Sequence, residues 1–159
     1  MAEFTRVTIE DITDPETLQF ASIRPDMNAL NLRFKGRPWA QAVLHGAVDK
    51  KVPNVYRFMD GDRKIHVVSW QVEQGYNGVD RGNPTYGRFP LGIFEFPLGD
   101  FSERMNVLKG DLGVTLSGET RIISSGEKMV IPGKGRVVFS VERGEVLYVC
   151  DYGKPEFLR

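Results

Sequence analysis

Residues 105–152 read MNVLKGDLGVTLSGETRIISSGEKMVIPGKGRVVFSVERGEVLYVCDY. Within them Met105–Leu108, Leu112–Leu116, Arg121–Ile123, Lys128–Ile131, Arg136–Val141 and Glu145–Cys150 are short runs rich in Val, Ile and aromatic residues, the composition of half-buried strands. A glycine marks every break: Lys109-Gly110-Asp111, Ser117-Gly118-Glu119, Ser125-Gly126-Glu127, Pro132-Gly133-Lys134-Gly135 and Arg143-Gly144-Glu145. Glycine supplies the positive φ that tight hairpins need. Ile65–Val72 and Leu91–Phe96 extend the pattern toward the N-terminus. Parallel strands need crossover helices, and no long helix separates these runs. About eight antiparallel strands in this length predict a small all-β barrel or jelly roll. Gly75–Arg88 (GYNGVDRGNPTYGR) reads as a long glycine- and asparagine-rich loop, either a plain excursion or a lid over a barrel mouth.

Outside that region the chain changes character. Only Gly36 and Gly46 of the 17 glycines fall in residues 1–52, which divides an N-terminal extension, 1–52, from a barrel, 53–159. Asp14-Pro15-Glu16 has the N-cap, N1-proline and early-acid order of a helix start, and Pro38–Leu44 has the same proline-first character, so short helices and turns are expected there. The extension is too short to bury a core of its own and should pack on the barrel or on a neighbouring subunit.

The 159 residues carry 21 basic and 21 acidic side chains, balanced seven to seven in residues 1–52 as well. Nucleic-acid and anionic-membrane binding therefore lose their usual electrostatic basis. No run of eighteen apolar residues occurs and Met1–Glu10 has no signal-peptide core, so a cytoplasmic protein is expected. The lone Cys150 excludes an internal disulfide and any multi-cysteine metal site. Period two places it on one strand face with Val146, Tyr148 and Tyr152, as a buried, inert thiol. The only histidines, His45 and His66, lack ligand spacing, so no metal is expected. No Gly-x-Ser-x-Gly elbow, phosphate-cradling Gly-Lys-Ser/Thr loop or dinucleotide Gly-x-Gly-x-x-Gly appears.

Two remaining stretches, Gly92–Gly110 and Gly126–Pro132, resemble the cupin superfamily. Glu103 and Gly110 have the spacing that closes the first cupin motif, and Gly126 and Pro132 the spacing that opens the second. Phe96, Pro97, Leu98 and Gly99 stand where the first motif has its histidines, and Val137 where the second has one, so the resemblance is to a metal-free cupin. Over residues 56–153 the chain is similar to the pyrimidine/purine nucleoside phosphorylase family, small single-domain cupins. The shared residues are Gly92-Ile93-Phe94, Glu103-x-Met105 with Gly110, the Gly126 to Pro132-Gly133 turn, and Tyr148-Val149-Cys150-Asp151-Tyr152. Three differences stand out. The segment from Phe96 to Glu103 is shorter than in the family, Gly135 and Val137 replace a Ser and a Phe, and residues 1–52 have no counterpart.

The resemblance implies an antiparallel cupin jelly roll, and a homodimer that covers barrel edges is expected. It further implies pentosyl transfer, in which a nucleoside and phosphate become free base and ribose 1-phosphate with no cofactor beyond the phosphate co-substrate. Glu103 would accept hydrogen bonds from ribose hydroxyls, with Met105 against the sugar, while Phe94, Phe96 and Phe139 line a slot for the base. Lys134 or Arg104 would meet phosphate; Arg136 is disfavoured because Val137 and Phe139 take the inward parity of its strand. The alternative is a non-catalytic cupin that binds a small ligand or serves as an assembly subunit.

Overall fold

The computed structural model describes residues 4–22, 53–71 and 85–153. Its strands are β1 Thr5–Val7, β2 Asn54–Asp60, β3 Arg63–Gln71, β4 Thr85–Phe89, β5 Gly92–Pro97, β6 Ser102–Lys109, β7 Asp111–Leu116, β8 Glu119–Ser124, β9 Lys128–Ile131, β10 Arg136–Val141 and β11 Val146–Gly153. They form two antiparallel sheets, one of seven strands ordered β1-β2-β3-β4-β11-β6-β9 and one of four ordered β5-β10-β7-β8. The glycine turns are where the sequence puts them, with Gly110, Gly118, Gly126, Gly135 and Gly144 all at positive φ.

Alternation decides what lies between the sheets. From the seven-stranded sheet Phe58, Val67, Phe89, Met105, Val107 and Tyr148 point inward, and Phe94, Leu112, Val114, Ile123, Val137 and Phe139 meet them from the other. The centre is aromatic. Phe89 stacks on Tyr148 at 4.5 Å and on Phe94 at 5.5 Å between ring centroids, and Phe139 lies 5.1 Å from it.

Two expectations are corrected here. The end of the Gly75–Arg88 stretch is not loop: Thr85–Phe89 is strand β4, hydrogen-bonded to β3 on one side and β11 on the other. Its glycine masked it, yet Gly87 is needed, because a Cβ there would collide with the Tyr148 phenol. The N-terminal region also holds a strand as well as helix and turn, since Thr5–Val7 pairs with Val55–Arg57 at the sheet edge. The helix expected at Asp14-Pro15-Glu16 is α1, Pro15–Ser22. Asp14 caps it, its Oδ2 accepting from the Thr17 backbone N–H at 2.9 Å. The helix start expected at Pro38–Leu44 lies outside the described residues.

α1 rests on the outer face of the seven-stranded sheet, where Ala21 joins Ile12, Val55 and Val68 and Phe20 stacks on Tyr86 at 5.7 Å. Arg88 of β4 ties the layers together: its guanidinium donates to Glu145 in the β10–β11 connection at 2.5 Å, and to Glu16 and Thr17 of α1 at 3.4 Å. Gly87→Ala is expected to cost about 1–3 kcal/mol by overpacking against Tyr148, read as a lower urea midpoint. An unchanged midpoint would contradict the close approach.

Candidate functional site

Strand β6 carries Glu103 and Met105 on its inner face and Arg104 and Asn106 on its outer face. Its register with β11 sets Glu103 beside Tyr152, Met105 beside Cys150, and Arg104 beside Asp151. The inner face is therefore greasy along most of its length and polar at the Glu103 end. There the Cys150 S–H donates to Glu103 Oε2 at 3.6 Å. Tyr152 Oη lies 3.4 Å from Thr85 Oγ1 on β4.

Burial dominates the electrostatics of this group. It pushes the Glu103 carboxyl from 4.5 up to about 7, with the Cys150 hydrogen bond pulling weakly the other way. Burial likewise holds the Cys150 thiol and the Tyr148 and Tyr152 phenols well above their ordinary values, and the nearby Glu103 charge adds to each. Near neutral pH the group is thus a carboxyl balanced between its two forms, set among protonated thiol and phenol donors. Such a group can accept hydrogen bonds from a ligand's hydroxyls or hand over a proton.

The sequence-derived candidates do not share one place. Glu103 lies on the inner face, partly open to solvent. Phe96 is half-buried and meets Phe4, Tyr56 and Phe58 at ring-centroid distances of 5.2, 5.8 and 5.3 Å, an aromatic wall at the seam between the sheets. Phe94, Phe139 and Met105 point inward too, but at 0%, 3% and 2% exposure they belong to the packed core rather than to an open slot. Lys134 sits in the Pro132–Gly135 turn at φ 68, its backbone N–H donating to Gly99 O at 2.8 Å and its side chain exposed. That turn follows Ile131, the β9 partner of Glu103, so Lys134 stands at the Glu103 end of the barrel.

Arg104 requires correction. Its side chain is 1% exposed on the opposite face of β6 from Glu103 and is paired with Asp151, so it cannot share a phosphate with an inner-face site. Arg136 points outward, as its parity requires, onto Glu95 at 3.0 Å. His66 is also on the outer side, beneath the N-terminal layer, its Nε2 accepting from Arg57 Nε at 3.4 Å; burial keeps its pKa below the ordinary value. Among the described residues no group of three or more His, Cys, Asp and Glu side chains gathers to hold a metal ion, and His45 lies outside them. Tyr148 and Tyr152 were legible through their shared parity with Cys150, whereas Thr85, Tyr56 and Phe4 had no local signal.

No family model and no curated protein matches the chain. Solved structures do. The EutQ protein of Clostridium difficile superposes with a TM-score of 0.51 at 19% identity, covering 62% of this chain and 75% of its own. A protein of unknown function from Vibrio parahaemolyticus gives 0.49 at 25%, covering 64% and 98%, and the Cupin_2 domain of an XRE-family transcriptional regulator from Enterobacter cloacae gives 0.49 at 14%, covering 56% and 97%. With its two facing antiparallel sheets in jelly-roll order, the chain has the cupin fold. Among the described residues no helix is long and apolar enough to cross a membrane.

The raised Glu103 pKa has a consequence for stability. The native state holds this proton more tightly than the unfolded chain, so the stabilisation is complete below about pH 4.5 and is lost as pH rises through about 7. A shift of this size is worth roughly 3 kcal/mol. Glu103→Gln has no such proton, so chemical denaturation should show wild type losing stability relative to the variant by about that amount between pH 4 and pH 8. Parallel pH profiles would place the Glu103 carboxyl in water instead.

Proposed function

We propose that the chain is a metal-independent nucleoside phosphorylase with Glu103 against the ribose. The observation that carries this reading is a carboxyl inside an aromatic barrel, with the Cys150 thiol on its Oε2, in a barrel whose seam carries an aromatic cluster of Phe96, Tyr56 and Phe4. Ribose needs acceptors for its hydroxyls, and a base needs a flat apolar face to stack on. Phosphate needs a cation, and Lys134 is the candidate at that end of the barrel. In the reaction a phosphate oxygen bonds to C1′ as the C1′–N bond breaks. The electron pair leaves with the base, which takes up a proton, and the Glu103 carboxylate stabilises positive charge on the ribosyl centre.

A second reading, a cupin that binds a small ligand without turning it over or that serves as an assembly subunit, is favoured by one observation. The Arg104 guanidinium is held by Asp151, which leaves fewer cations for phosphate.

Purified protein incubated with a panel of purine and pyrimidine nucleosides should release free base and ribose 1-phosphate only when phosphate is present. Glu103→Gln should lower kcat/KM by roughly 30- to 1000-fold, about 2–4 kcal/mol, at unchanged melting behaviour near pH 5. Lys134→Ala should raise the KM for phosphate more than that for nucleoside. Because the charged carboxyl does the work, kcat/KM should fall as pH drops through about 7. Nucleoside binding with no base released would favour the second reading, and phosphorolysis unaffected by Glu103→Gln would remove Glu103 from the site.

A further inference from the structure

Polar side chains from three neighbouring strands meet at the Glu103 end of the barrel: Thr85 of β4, Cys150 and Tyr152 of β11, and Glu103 of β6. Register sets Thr85 opposite Cys150 and Glu103 opposite Tyr152. The polar contacts run along the diagonals instead. Thr85 Oγ1 lies 3.4 Å from Tyr152 Oη, and Cys150 Sγ lies 3.6 Å from Glu103 Oε2. A hydrogen bond between Tyr152 and Cys150, two residues apart on one face of β11, joins the two contacts. The effects of these groups on one another give the chain a direction. Burial raises both the Tyr152 phenol and the Cys150 thiol, while the bond from Thr85 pulls the phenol down and the bond from Tyr152 pulls the thiol down, as a received hydrogen bond does. Thr85 therefore donates to Tyr152, Tyr152 to Cys150, and Cys150 to Glu103, and every link points at the carboxyl. Glu103 Oε1 has no hydrogen-bond partner among the described residues.

We propose that Cys150 and Tyr152 are positioning residues for Glu103: the donor chain that starts at Thr85 fixes Oε2 and leaves Oε1 to take a hydroxyl of the ligand. The inference rests on the reading above, in which Glu103 meets the ligand. A carboxylate only accepts, so it is the member that can end such a chain, whereas each hydroxyl or thiol within it both donates and accepts. Successive bonds in one direction polarise each other, so the weak S–H donor gains from the Tyr152 hydroxyl behind it. The chain opposes the effect of burial by favouring the charged carboxyl, and it holds that carboxyl in one orientation before a ligand arrives. The other groups around Glu103 leave this role to it. Tyr148 stays protonated, β9 presents Ile131 and Met129, and β6 adds Met105. Asp151 is held by Arg104 on the outer face, and the Lys134 side chain is exposed.

Carbon-13 NMR of the glutamate carboxyls in the full chain, titrated from about pH 4 to about pH 9, tests the chain without needing turnover. Glu103→Gln assigns the Glu103 signal. Cys150→Ala should raise the Glu103 midpoint by about 0.5–1 pH unit, the worth of one lost hydrogen bond to the charged form. Cys150→Ser supplies a stronger O–H donor and should keep the midpoint at or below that of wild type. Tyr152→Phe and Thr85→Val each remove one hydroxyl with little change of shape, and should raise it by progressively less; they carry the test if Cys150→Ala does not fold. In phosphorolysis the acid limb of kcat/KM should move with the midpoint from variant to variant, a change that loss of packing alone would not produce. Midpoints equal to wild type in Cys150→Ala and Tyr152→Phe would overturn the proposal, and so would Cys150→Ser matching Cys150→Ala. Midpoints in the expected order, in a wild type that phosphorolyses no nucleoside, would support the chain and overturn the phosphorylase reading alone.

Discussion

Arg104 and Asp151 face each other across β6 and β11 with side chains 1% and 0% exposed, the guanidinium Nε 3.0 Å from Oδ1 and Nη2 2.5 Å from Oδ2. Two parallel charge-assisted bonds tolerate little displacement, and neither partner can turn to water instead. Asn106 tightens the arrangement, its amide donating to Asp151 Oδ1 and to the backbone carbonyls of Arg104 and Val149. Replacing one member of such a buried pair leaves the other uncompensated, a loss of about 3–5 kcal/mol. Its larger effect is on register. Arg104 and Asp151 are direct cross-strand partners, so the pair fixes Glu103 beside Tyr152 and Met105 beside Cys150. A slip of one residue would send one strand's inner set to the outside and separate the carboxyl from the thiol.

That register places an ionisable group where an apolar one would be cheaper. Burying a carboxyl is unfavourable unless it is neutralised or hydrogen-bonded, and Glu103 is balanced between these remedies. The residues around it are donors that stay protonated, so they can serve the carboxylate without competing for its proton. Functional sites are where such perturbed groups collect, because a protein gains nothing in stability by keeping one. The packed aromatics behind it, Phe89, Phe94, Phe139 and Tyr148, do a different job: they fill the barrel and leave the carboxyl and its thiol partner at one end of the interior.

What the sequence disclosed and what it hid follow from the range of the interactions involved. Strands β5 to β11 were legible because alternation and glycine turns are local, and the cupin spacing located Glu103. Strand β4 was not, since Gly87 and its glycine-rich surroundings resemble a loop until Tyr148, 61 positions further on, is known to lie against it. Arg104 was misread for the same reason: next to Glu103 in sequence it looks available to an anion, whereas its partner is Asp151, 47 residues away. Parity alone would have put Arg104 on the opposite face from Glu103, a signal present in the sequence. Phe94 and Phe139 were placed inside correctly, but alternation cannot tell a packed aromatic from one lining an opening.

The two sheets treat their outer faces in opposite ways, and the reason lies in the N-terminal residues. Residues 4–22 are built into the barrel at two points. Phe4 meets Tyr56 and Phe58 of one sheet and Phe96 of the other, bridging the seam between them. α1 covers Val55 and Val68 on the outer face of the seven-stranded sheet, where Arg88 fastens it to Glu145. The buried Arg88 guanidinium needs those acidic partners, so detaching α1 would expose apolar surface and remove part of its compensation in one step. Nothing comparable among the described residues covers the four-stranded sheet, where Ile93 and Ile122 stand in water. Among the described residues one outer face is thus covered from within the chain, while the other presents isolated apolar side chains between polar ones, and neither contributes to the Glu103 group inside the barrel.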